Sequence, residues 1–307
     1  MIAMSRRPTL SLLAALALAA TAAQSQAPVQ PPADQLRKLC ETISMNPADG
    51  REMARRGECV LRGALPSPDP VNEARGLAKA AVVAGESYGG LVLYMAYQID
   101  LVNRYMHNGK LDADAYQRLA ARDLQQRTDQ IEALEGLGLA AGKSNNTAGA
   151  LLAGYFHDTV APRNVARTGA MAALLMRQGE KSPTVQRYAR EADAVAKSTG
   201  NNTKASVRAF LETYPHAENA ARSAYQAQSG GKSCAKPQLK SVSSGEIEGA
   251  EFLPLQGNLV KDSYLLKGKW TEFWTFQACG EEVPLKVAFT ADGGGGATST
   301  VRHNKGD

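Results

Sequence analysis

Two hydrophobic periods divide the chain near residue 230. Before that point apolar residues recur at helical spacing. Tyr116, Leu119, Ala120, Leu124, Ile131 and Leu134 form one stripe, with Arg118, Arg122, Gln125 and Asp129 on the opposite face. Leu111 and Tyr116 flank a capping Asp112 in the arrangement of a hydrophobic staple. Past residue 230 the period drops to two. Trp270, Glu272, Trp274 and Phe276 alternate with Thr271, Phe273 and Thr275, and residues 283–290 alternate again. The run DGGGG at 292–296 predicts a turn into a last strand at 297–302. With further strands at 239–242 and 259–266, the pattern predicts a small, mainly antiparallel sheet of about four to six strands.

The helical part repeats one punctuation mark. Gly85-Glu86-Ser87, the run GKSNNT at 142–147 and the run GNNT at 200–203 each place a glycine before Ser, Asn or Thr. A glycine takes the left-handed conformation that ends a helix, and the polar residue caps the next one. Gly85, Gly142 and Gly200 stand 57 and 58 residues apart. Each mark precedes an apolar helix: residues 91–95, then 151–153, then Val207 with Phe210 and Leu211.

Ala54, Gly57, Gly63, Asp69, Ala74, Ala80, Ala81 and Gly85 follow a spacing that resembles Sel1-like repeats, a branch of the tetratricopeptide-like α-solenoids. A looser second copy spans 148–171, where Arg163 and Asn164 replace the acidic turn. The resemblance covers about residues 50–180. It implies a right-handed α-solenoid of antiparallel helix pairs that binds other proteins or organises an assembly. Small residues would let the helices cross closely, with the Asp69 region forming the turn. The expected chain is therefore multidomain and mainly α: a leader at 1–27, a helical repeat domain at 28–229 and a small β domain at 230–307.

The leader reading rests on Arg6 and Arg7 before an uncharged run from Leu10 to Ala23. About 14 residues suits a signal peptide and falls short of the roughly 20 that span a bilayer. Thr21 and Ala23 fit cleavage after Ala23, whereas a cut after Ala27 would place Pro28 next. Thr9 stands where a twin-arginine signal has Phe, which favours the Sec route. The expected location is the periplasm, with secretion beyond it left open, and no integral membrane association is expected. Four cysteines fit that address as two disulfides, Cys40–Cys59 and Cys234–Cys279, one in each part. Loops of those lengths would stabilise by roughly 3 and 4 kcal/mol on the chain-entropy model.

Charge and motifs exclude more than they assign. The formal charge of +5 falls to about +3 without Arg6 and Arg7, and it is spread along the chain rather than clustered as nucleic-acid binding requires. Gly136, Gly138, Ala141, Gly142, Lys143 and Ser144 mimic nucleotide loops. A phosphate loop, however, needs glycine at Leu137, and a dinucleotide fingerprint must follow a strand. No cofactor or metal is implied. His157-Asp158, after Tyr155-Phe156 at a helix end, is the best polar candidate, although a histidine there ordinarily meets the helix dipole and the last carbonyls. Asp112 with Asp114 is better explained by capping, and Glu281-Glu282 by solvation at a strand end. Tyr88, Tyr94 and Tyr97 offer a recognition surface on one helix, and Trp270 and Trp274 a ligand platform, against core roles for both sets. The expectation is a non-catalytic protein that binds another protein of the cell envelope. The alternative is an enzyme or carrier that holds a small ligand or cell-wall fragment between its domains.

Overall fold

The computed structural model describes residues 33–107, 110–111 and 124–304. The leader at 1–27, Asp112 and Asp114, and the stripe residues Tyr116, Arg118, Leu119, Ala120 and Arg122 lie outside the described residues. Two compact units divide between Asn145 and Asn146.

The first unit holds α1 (Ala33–Glu41), α2 (Gly50–Leu61), α3 (Pro70–Val83), α4 (Tyr88–Tyr105), the two-residue strands β1 (Met106–His107) and β2 (Lys110–Leu111), and α5 (Leu124–Gly142). Its helices pack in chain order: α3 on α2, α4 on α3, α5 on α4. Asp49 caps α2 by accepting from the Glu52 amide at 2.8 Å. Asp69 caps α3 with Pro70 at its first position. Small residues set the helix spacing. Ala54, Ala74, Ala78 and Ala81 are fully buried, and a Cβ on Gly57 would lie 3.2 Å from the Ala74 carbonyl oxygen. Closest of all, a Cβ on Gly90 would lie 2.1 Å from the carbonyl oxygen of Gly136, so α4 and α5 touch backbone to backbone. The Cys40–Cys59 disulfide ties α1 to α2.

One amphipathic assignment is overturned here. Asp129 does not face water: it is buried and meets the Arg75 guanidinium at 3.2 Å. The helical phase gave it a solvent position, and a cation from α3 supplies the charge that makes burial tolerable.

The second unit holds α6 (Asn146–Asp158), α7 (Asn164–Arg177), α8 (Pro183–Thr199) and α9 (Val207–Gln228), then β3 (Gln238–Ser244), β4 (Glu248–Phe252), β5 (Leu265–Ala278), β6 (Glu281–Ala291) and β7 (Ala297–His303). The five strands form an antiparallel sheet in the order β3-β5-β6-β7, with β4 also paired to β5. Cys279 and Gly280 both take positive φ and close the two-residue β5–β6 hairpin. The Cys234–Cys279 disulfide anchors that hairpin tip to the segment after α9.

Period-two reading of β5 holds residue by residue. Trp270, Glu272, Trp274 and Phe276 all point inward and are buried. Helix α9 lies on this inner face, bringing Phe210 to 4.8 Å from Trp274 and Tyr214 to 5.9 Å from Phe276 between ring centroids. Helices and sheet therefore share one core, in which Val195, Val207, Phe210, Ala217 and Tyr225 pack with Trp274, Leu285 and Val287. The composition shift near residue 230 marks a change of secondary structure inside this unit.

Three local expectations are corrected. Ser144, not Gly142, takes the left-handed conformation after α5. Gly200 does so after α8 as expected, yet the cap of α9 is Ser206, because Thr203 turns its hydroxyl to Glu272. The strand expected at 259–266 starts only at Leu265. Residues 259–262 form turns with Asp262 at φ +54°, while Ser263 is buried against the helices. Among the described residues no helix is long and apolar enough to cross a membrane.

Candidate functional site

The sequence-predicted residues are divided between the units, Tyr88, Tyr94 and Tyr97 in the first and Tyr155, His157, Trp270 and Trp274 in the second. Of the tyrosines on α4, Tyr97 is buried with Leu101 and Tyr105, and Tyr94 packs half-buried against them. Tyr88 donates its hydroxyl to Glu58 at 2.5 Å, and burial, with that carboxylate, pushes its hydroxyl well above the ordinary tyrosine range. Trp270 and Trp274 are 3% and 0% exposed, which makes them core.

What those tryptophans surround is a buried carboxylate. Glu272, 0% exposed, accepts from the Trp270 indole at 3.1 Å and the Trp274 indole at 2.9 Å, one to each oxygen. Thr203 Oγ1 and the Lys204 amide add donors at 2.9 and 2.8 Å. A buried charge is tolerable only when its lone pairs are met, and here four groups meet them. Sequence reading placed Glu272 on this face without assigning it a role. A lone carboxylate in an apolar row was the available signal.

His157, in the last turn of α6, is also buried. Its Nδ1 lies 2.7 Å from Asp158 and its Nε2 2.8 Å from Glu191. The ring sits 4.8 Å from that of Tyr188, whose hydroxyl is pushed up mainly by burial. Arg208 meets Asp158 at 3.7 Å and Glu212 at 2.9 Å. The expected bond to helix-end carbonyls is thus replaced by two carboxylates. Each ring nitrogen thus has a carboxylate partner.

Beside it, Tyr155 bonds the Ser263 hydroxyl at 2.8 Å, and burial pushes its own hydroxyl far up. Asn164 Nδ2 stands 2.8–2.9 Å from the Thr159 carbonyl, the Thr159 hydroxyl and the Ser263 carbonyl. Arg167 reaches the Lys261 carbonyl at 2.6 Å. Val160 accepts from the Leu265 amide at 3.1 Å and donates to the Gly295 carbonyl at 2.6 Å. These groups stitch the α6–α7 corner to the sheet.

The outward face of the sheet is different. One row across four strands reads Ser243, Phe273, Lys286, Arg302, each directly opposite the next. All four are exposed, Phe273 at 42%. The flanking rows carry Ser241, Thr275 and Pro284 on one side and Thr271, Ala288 and Thr300 on the other, with no acid in either. Nearby carboxylates are engaged elsewhere, Glu282 by Lys240 and Glu251 by Lys267. Two cations directly opposite each other destabilise a sheet, and here no acid in the adjacent rows offsets them. Period two already set Phe273 on this face. The Lys286–Arg302 pairing depends on strand register, which no local signal specifies.

A separate depression of about 400 Å³ opens where α9 ends beside β7, lined by Ala224, Ala227, Gln228, His303 and Asn304. None of the predicted site residues lines it. The chain matches no family model, no curated protein sequence and no solved structure.

Proposed function

We propose that the chain is a non-catalytic, exported protein-binding protein of the bacterial cell envelope. The observation that carries this reading is the outward row of Phe273, Lys286 and Arg302. Phe273 and Arg302, two strands apart in one row, are of residue types enriched at interfaces, and the sheet presents both on the same face without rearrangement. The two disulfides support an oxidising compartment, and the leader at 1–27 supports Sec export to the periplasm. On this reading α2 and α3 are a Sel1-like helix pair, the start of a short solenoid. The alternative, an enzyme or carrier of a small ligand or cell-wall fragment, is favoured by no comparable observation.

The test is a photo-crosslinking benzoyl-phenylalanine placed at position 273 in the exporting cell, with Val83, 89% exposed, as the control position. A reproducible protein adduct at 273, absent at 83, is expected. Irradiation that yields no protein adduct at 273 overturns the reading.

A further inference from the structure

We infer that the outward row binds an acidic polypeptide segment, with a carboxylate held between Lys286 and Arg302 and a neighbouring apolar side chain laid on Phe273. This rests on the protein-binding reading above and adds the chemistry of the partner. Lys286 and Arg302 stand opposite each other on adjacent strands, and strands lie about 4.8 Å apart. Both heads therefore reach the two oxygens of one carboxylate. Phe273 adjoins Lys286 on its other side, so the charged and apolar contacts fall about one strand spacing apart. Ser241, Thr271, Thr275 and Thr300 flank the row with hydroxyls that both donate and accept, as an extended backbone needs.

Other occupants fit less well. A second copy would present its own Lys286 and Arg302, setting cations against cations. An anionic membrane is recognised by clusters of roughly four to eight basic residues, and this row has two. Single-stranded nucleic acid stacks on successive aromatics, and the row has one.

The experiment uses the full chain, purified with its disulfides formed and immobilised. The probes are random poly(Glu,Tyr), poly-Glu, phosphatidylglycerol vesicles and oligo-dT. Poly(Glu,Tyr) should bind more tightly than poly-Glu. K286E/R302E and F273S should each weaken it at least tenfold, while K232E/K236E, at two exposed lysines, should not. All three variants change exposed side chains, so unchanged circular dichroism checks their folding. Equal binding of poly(Glu,Tyr) to wild type and K286E/R302E overturns the inference, as does stronger capture of vesicles or oligo-dT through the same residues. If poly(Glu,Tyr) fails to bind although position 273 crosslinks to a protein in the cell, the acidic-partner inference alone falls. If that crosslink is absent too, the protein-binding reading falls with it.

Discussion

Trp274 donates its indole N–H to Glu272, two residues away on the same strand, at 2.9 Å. Trp270 does the same from the other side at 3.1 Å. Three alternate residues of β5 thus form a closed polar unit inside an apolar face, with Thr203 and Lys204 completing it from the loop before α9. Replacing Glu272 by Gln would set an amide donor against indole donors and should cost about 1–3 kcal/mol. Glu272→Ala, which strands both indoles, should cost at least about 3 kcal/mol. Urea unfolding followed by tryptophan fluorescence measures both. A neutral Glu272→Ala would mean that the indoles find other acceptors.

Asn164 offers a second test of buried polar satisfaction. Its amide nitrogen faces three oxygens, so Asn164→Asp puts an acceptor against acceptors. A loss of about 3 kcal/mol is expected. Hydrogen exchange should show it first at the amides of Leu265 and Val160, which donate to the Val160 and Gly295 carbonyls along the same seam. Protection unchanged at both amides would contradict the role given to Asn164.

Two glycines in the first unit should respond in opposite directions to the same change. Gly90→Ala pushes a methyl into the Gly136 carbonyl and should destabilise by about 3 kcal/mol. Gly76 lies inside α3 with nothing within 4 Å of its would-be Cβ, so Gly76→Ala should stabilise by about 0.5–1 kcal/mol. Thermal melts of the two variants, run side by side, decide whether the α4–α5 contact is as close as described.

Asp292 gives a pH dependence. Its Oδ1 accepts from the Gly294 and Gly296 amides at 2.7 and 3.0 Å, yet burial outweighs those bonds and raises its carboxyl above the usual aspartate range. An acid raised in the folded state holds its proton more readily there than when unfolded. Its contribution to stability is full below the unfolded aspartate range and is lost as pH rises through the raised folded value. Against Asp292→Asn, which does not titrate, the wild type should lose relative stability as pH increases over that window. Urea midpoints of the two proteins from pH 3 upward are the measurement, and parallel curves would refute it.

How much of this was legible in the sequence depends on the range of each interaction. Residue alternation exposed the inward row of β5 and set Phe273 on the other face, because strand period is a local property. Parity and position paired the cysteines correctly. The helix after each punctuation mark was legible as well. Contacts between distant segments were not. Gly136 stood out only in a run that mimics nucleotide loops, since the approach of Gly90 from another helix is what reveals its use. Asp129 followed the phase of its own helix, which carries no record of Arg75. The outward row was half legible, because Lys286 and Arg302 become neighbours only through the β6–β7 register.

The core shared by α9 and the sheet has a practical consequence for anyone editing the gene. A stop codon at residue 230 would strip α9 of its cover and leave Phe210 and Tyr225 wet. The complementary fragment would turn Trp274, Phe276, Leu285 and Val287 to solvent, with strands ready to pair with any neighbour. Either product is a candidate for inclusion bodies rather than a reagent. A cut that leaves this shared core whole falls before Asn146, where the compact unit begins.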